Sequence, residues 1–233
     1  MQLYHHAFSM NSQKVRLALE EKGIDYISHS LNPIKGKDLN ADLFHVSPDG
    51  KMPVFQNGNL ILTDTLAIVQ FIDSLNEPLG GYDVNKERVH EWMRIVDEWE
   101  PKLFTLSSIP LKRAYATDEM MKDTEALEQN KRQLERLLDM AEEQLESSEY
   151  LAGESFTMAD VMFLPLLGWM ELLGVSREYI NKKRKNLSRY WAKVKRRPSY
   201  YAVIGKYFGG VNRYKTLLTN SIIVSFQTLI RRY

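Results

Sequence analysis

Not one of the 233 residues is a cysteine. That excludes disulfides, thiolate metal sites and any mechanism in which the protein itself supplies a nucleophilic or redox-active thiol. The five histidines do not fill the gap. His5 and His6 are adjacent and point to opposite faces of a strand, and no HExxH pair occurs, so no metal is expected. Long apolar runs are missing too: no stretch reaches the roughly 18 apolar residues that a spanning helix needs. The opening MQLYHHAFS has no basic region followed by an apolar one, and the expected setting is the cytoplasm. Acidic residues stop at Glu178, whereas 14 of the 31 basic residues lie beyond it, leaving 17 basic against 30 acidic side chains before that point. A cationic C-terminal quarter is thus joined to an acidic body.

What is present reads as an ordinary globular chain, 44% hydrophobic. Gln2 to Phe8 reads as a strand. Val15, Leu17, Ala18 and Leu19 give a helical stripe that stops at Gly23, and a second strand is expected near Ile24 to Leu31. KMPVF and LILT flank Gln56-Asn57-Gly58-Asn59, a hairpin signal, and a helix follows from about Asp64 to Leu75. The order β-α-β then β-β-α closes a small mixed sheet, the thioredoxin-like arrangement, within residues 1–80. After Leu79-Gly80-Gly81 the pattern is helical throughout: Arg88 to Thr105, a long segment carrying Leu127, Leu134, Leu138, Ala141 and Leu145 on one face, Thr157 to Leu173, Leu187 to Arg196 and Ser199 to Tyr207. Two domains follow, an α/β unit over 1–80 and an all-α unit over 86–208. A basic extension over 209–233 places Leu218, Ile222, Ile223, Phe226, Leu229 and Ile230 on one helical face; it is amphipathic, not spanning.

Three short stretches carry candidate chemistry. FSMNSQK holds Ser9 and Ser12 just ahead of a helix, where a hydroxyl ordinarily accepts from an unpaired backbone N–H. Met52-Pro53 opens a strand: the bond is either an ordinary trans edge proline or a cis peptide that presents the backbone of Met52 to an extended peptide. Thr63-Asp64-Thr65 precedes an apolar helix, where Asp64 or Thr65 serves as a cap. The same first-turn amides, with an adjacent aspartate, also suit the carboxylate and ammonium of an amino-acid head.

Ser9, the QKVRLALEEKG helix, KMPVF, TDT before a helix and GESFTMADVMFLPL inside an all-helical domain, in that order, resemble the soluble glutathione transferases over nearly the whole chain. Within them the opening HH-x-x-S-x-x-SQKVRLALEEKGIDY and the extended C-terminus look most like the plant tetrachlorohydroquinone dehalogenase-like class. The resemblance implies glutathione as co-substrate and a hydrophobic electrophile facing the helical domain. Ser9 then looks like the activating hydroxyl of the serine-type classes, and Ser12 like a helix-start residue. Met52, before Pro53, would pair with the cysteinyl backbone of glutathione, Asp64 and Thr65 would hold its γ-glutamyl head, and Lys37 and Lys51 would face its glycyl carboxylate. Phe8, Phe104, Tyr115 and Trp169 are candidate walls of the apolar site. Thr157 and Asp160 match the family's buried capping box, a folding element. A homodimer is implied as well.

The resemblance and the missing cysteine combine. Asn11 stands where related zeta-type sequences carry Cys, so conjugation or peroxide reduction, with glutathione as the only sulfur, is expected in place of chemistry that needs a protein thiol. The alternative reading is a protein that binds glutathione or a hydrophobic ligand without turnover and is held at an anionic membrane surface by its basic tail. Nucleic acid ranks below both, since RYWAKVKRRPSYY reads as a transferase-type helix and turn.

Overall fold

The computed structural model describes residues 1–7, 9–30, 47, 52–107, 124–180 and 182–208, with side chains for all of these except 100–107, 124–127, 173 and 208. Strand β1 (Gln2–His5) lies parallel to β2 (Ile27–Ser30) and antiparallel to β3 (Val54–Asn57), which pairs antiparallel with β4 (Leu60–Leu62), giving the order β2-β1-β3-β4. A parallel pair needs a crossover, and helix α1 (Met10–Glu21) supplies it between β1 and β2. The helix stops as its sequence dictates: Lys22 is the C-cap and Gly23 follows at φ 60°.

The β3–β4 hairpin differs by one residue from the Asn-Gly turn expected. Asn57 still pairs with Leu60, so the two loop residues are Gly58 and Asn59. Only Gly58 takes a positive φ, 60°. A glycine at the first central position is what a II′ turn demands, whereas Asn57-Gly58 at the centre would have needed two left-handed residues.

Alternation along the strands separates the two faces of the sheet. Leu3 and Phe55 join Val15, Leu19, Ile68 and Ile72 from α1 and from helix α2 (Thr65–Ser74), whereas Tyr4 and Val54 form a second cluster with Met52 packed on it. Beyond the sheet come α3 (Lys86–Ser107), α4 (Thr124–Ser147), α5 (Met158–Leu173), a short α6 (Ser176–Tyr179) and α7 (Lys185–Val194). The helical course then continues through Pro198–Tyr200, a π-turn over Tyr201–Gly205 and Lys206–Phe208.

Helix α5 is apolar on all sides because it is buried on all sides, and it packs on both α3 and α1. One core therefore runs without interruption from Leu3 and Phe55 to Phe163 and Leu167. The connection between α2 and α3 passes through Gly80 at φ 96°, where a Cβ would sit 2.9 Å from Val84 Cγ1 and 3.1 Å from the Phe156 carbonyl oxygen. Only glycine fits there. The mixed sheet with its helices, followed by an all-helical half, is the thioredoxin-like plus all-α architecture expected.

Candidate active site

The β1–α1 loop is built by mutual hydrogen bonds. Ser9 is the N-cap of α1, in extended conformation, and its Oγ accepts from the Ser12 amide at 3.3 Å. The Ser9 amide donates to the His6 carbonyl at 3.1 Å, and the His6 amide donates to Ser12 Oγ at 3.2 Å. Gln13, fully buried, donates from Nε2 to the Ala7 carbonyl at 2.9 Å. Of the two serines Ser9 is thus the cap, and Ser12 is an interior residue of the first turn that reaches back to the loop. Capping uses a lone pair of Ser9 Oγ and leaves its proton available to a ligand. The hydroxyl also sits at the positive end of α1, so together they favour an anion at this point.

Met52–Pro53 is a cis peptide, which decides between the two forms left open by the sequence. Met52 is half-buried against Tyr4 and Val54. Asp64 is the N-cap of α2, its Oδ1 accepting from the Ala67 amide at 2.8 Å, and Thr65 behind it is buried. The carboxylate itself remains exposed.

Two charged residues that sequence reasoning did not single out belong to this group. Lys14 is 1% exposed, with Nζ 3.4 Å from Asn11 Oδ1, and burial holds its ammonium down to about 8 while Asp97 opposes that drop. Asp97, on α3, is pushed up by burial, down by Lys14 and up again by Asp64. The helical half therefore sends a carboxylate into the field shared by Lys14 and Asp64. Two carboxylates that act on each other suit an ammonium group, with Lys14 offsetting their mutual repulsion. A signal was available: Val89, Met93 and Val96 mark the inward face of α3, and position 97 continues it with an aspartate.

Trp169, on α5, is 8% exposed and sits within the buried run of that helix. Phe8, Lys37, Lys51 and Tyr115 lie outside the described residues, as does the extension 209–233, and of Phe104 only its place in α3 is described. Among the described residues no group of His, Cys, Asp and Glu has the arrangement to hold a metal ion, and no helix is long and apolar enough to cross a membrane.

This succession of an α/β unit and a helical unit matches known proteins. Residues 3–79 match the family model described as "Glutathione S-transferase, N-terminal domain", and residues 102–198 match "Glutathione S-transferase, C-terminal domain". The chain belongs to the glutathione transferase family. It is 44% identical to glutathione S-transferase TCHQD of Arabidopsis thaliana, with all of both chains covered, and 28% identical to a glutathione S-transferase of Hyoscyamus muticus over 88% of this chain and 97% of that one. Among solved structures, a serine-to-cysteine mutant of poplar glutathione transferase F1 superposes with a TM-score of 0.72 at 24% identity, covering 88% of this chain and 96% of that one. A glutathione S-transferase of the Antarctic clam Laternula elliptica gives 0.73 at 21% identity, covering 93% and 97%. These structures share the fold, and the full-length relative agrees with the plant class expected from the sequence.

Proposed function

We propose that this transferase is of the serine type: Ser9 donates a hydrogen bond to the thiolate of glutathione, which then attacks a hydrophobic electrophile or reduces a peroxide. The observation that carries the reading is the capping geometry of Ser9, which leaves a hydroxyl proton unspent at the positive end of α1. A thiol of ordinary acidity is only a few per cent ionised at pH 7, so complete ionisation raises the nucleophile concentration by at most roughly thirtyfold, about 2 kcal/mol. A hydrogen bond to a charged group contributes about 1.5–3 kcal/mol, enough for that task. The remaining acceleration comes from holding the thiolate beside the electrophile.

Glutathione would lie across the group described above. Its cysteinyl backbone pairs with the backbone of Met52, and its γ-glutamyl carboxylate meets the first-turn amides of α2 beside Thr65. Its ammonium faces Asp64, with Asp97 reinforcing the negative field. Lys37 and Lys51 are assigned to the glycyl carboxylate, and Phe8, Phe104, Tyr115 and Trp169 to the walls of the electrophile site. No protein cysteine is present to resolve a mixed disulfide with glutathione. Conjugation and peroxide reduction fit this chain because glutathione provides all the sulfur they need. A homodimer working in the cytoplasm belongs to the same reading.

The test is a panel. Glutathione binding by calorimetry and turnover with aryl halides, activated alkenes and organic hydroperoxides are measured separately on the full chain. Turnover in at least one class is expected; glutathione binding with none across the panel overturns the enzymatic reading.

A further inference from the structure

Gln13 holds the chain on both sides of position 8. Its backbone amide donates to the Ser9 carbonyl at 2.8 Å, and its side-chain Nε2 donates to the Ala7 carbonyl at 2.9 Å. The other bonds of this loop are longer: 3.1 Å from the Ser9 amide to the His6 carbonyl, 3.2 Å from the His6 amide to Ser12 Oγ and 3.3 Å from the Ser12 amide to Ser9 Oγ. The Ser9 hydroxyl is therefore held only loosely by its own capping bond, and its place follows the backbone that Gln13 fixes.

The Gln13 side chain is fully buried, and its Oε1 meets no donor among the described residues. The amide cannot turn over to relieve this, because Oε1 would then face the Ala7 carbonyl oxygen. A buried acceptor left unmet lowers stability, and an apolar side chain of the same length would avoid that loss. The core gains nothing from an amide at this position; the loop does.

We propose that Gln13 is a positioning residue for the transferase reaction. By way of the Ala7 carbonyl it fixes the segment that carries Ser9, so that the hydroxyl proton is directed at the glutathione thiolate; this rests on the serine-type reading above. Hydrogen bonds weaken steeply with distance and angle, and a misplacement of about 1 Å can cost about a hundredfold in rate. Gln13→Met keeps the length and the burial, removes the unmet acceptor and takes away the donor that holds Ala7.

The test compares the full-length wild type with Gln13→Met, Ser9→Ala and the double variant. Steady-state kinetics with an aryl halide, titration of the bound thiolate by its ultraviolet absorbance and thermal unfolding are measured on each. In Gln13→Met, kcat should fall about fivefold or more while KM for glutathione stays within about twofold. The pKa of the bound thiol should rise by about half a unit or more, and the Tm should stay within about 4 °C. A residue that acts through Ser9 has nothing to act on once the hydroxyl is gone, so adding Gln13→Met to Ser9→Ala should leave kcat within about twofold. A wild-type kcat and thiol pKa in Gln13→Met, or the same loss of rate with and without Ser9, overturns the proposal and leaves the serine-type reading standing. An unchanged kcat in Ser9→Ala overturns that reading and this proposal with it. Should Gln13→Met fail to fold, Gln13→Asn, whose amide stops one methylene short of the Ala7 carbonyl, must show the same losses; a wild-type rate there again overturns the proposal.

Discussion

A hydroxyl that caps a helix by accepting keeps its proton, and at Ser9 this allows one atom to serve folding and chemistry together. Removing it tests both. Ser9→Ala should lower kcat for conjugation by roughly tenfold or more, in line with the thirtyfold ceiling for thiol ionisation, while glutathione affinity stays within a few-fold and stability falls by about 1 kcal/mol. Ser9→Thr should recover part of the rate. Steady-state kinetics with an aryl halide and glutathione calorimetry check this, and unchanged kcat in Ser9→Ala removes Ser9 from the mechanism. Ser12→Ala behaves in the opposite way. It takes a fully buried hydroxyl from the His6 amide, costing about 1–2 kcal/mol in urea unfolding with kcat little changed. That Ser9 and not Ser12 holds the N-cap was not visible in FSMNSQK. They stand three positions apart, and either one placed at the N-cap satisfies the same local pattern; the hydrogen bond from the His6 amide to Ser12, six residues on, decides.

At the scale of elements, α5 shows what local spacing can and cannot reveal. Thr157 and Asp160 were legible because a capping box needs only a three-residue interval. The structure adds that the Asp160 carboxylate collects the Thr157 amide at 2.8 Å, the Leu151 amide at 3.2 Å and the Tyr190 hydroxyl at 2.9 Å. It therefore fastens α5 to the turn before it and to α7. Asp160→Ala leaves these donors unmet in the core and should cost about 3 kcal/mol or more, whereas Thr157→Ala should cost about 1 kcal/mol, both read from urea midpoints. The π-turn over Tyr201–Gly205 had no such signature. Its wide turn depends on packing against α1, and nothing within AVIG announces it. Asp97 falls between these cases: the helical period places it on the buried face of α3, but its partners Lys14 and Asp64 come from other elements.

For the molecule as a whole, pH dependence follows from groups that burial disturbs in opposite directions. His5 and His6 are each held down to about 4, chiefly by burial. An unfolded histidine titrates near 6.5, so between these values the unfolded chain binds more protons and stability rises with pH. Asp160, pushed up to about 6 by burial, acts with the other sign across roughly pH 4 to 6. Asp97, also raised by burial, adds to Asp160, so the gain from the histidines is opposed below about pH 6 and stands alone between about pH 6 and 6.5. His5→Gln should flatten that slope by up to about 1.4 kcal/mol per pH unit, measured from urea midpoints at several pH values. The halves are also tied across sequence: Arg197 donates to Glu21 through Nε at 2.7 Å and Nη2 at 2.6 Å, Ser199 donates to the same carboxylate, and the Arg197 guanidinium lies 3.8 Å from the centre of the Phe156 ring. Arg197→Ala should cost about 3 kcal/mol by stranding Glu21. Sequence periodicity alone could not show this tie, because it joins residues that share neither an element nor a local motif.

That tie has a consequence for the order of events on the ribosome. Glu21 ends α1, yet its arginine partner lies 176 residues later. At translation rates of about 5–20 residues per second, the first strands and α1 wait roughly ten to thirty-five seconds before Arg197 is made. Until α5 has been made the face of α1 that will meet it is uncovered, and the end that will meet Arg197 stays so for the whole of that time. A nascent chain stalled before Arg197 should accordingly be cut by protease near Glu21 far faster than the released protein, which holds that end of α1 shut from the far side of the chain.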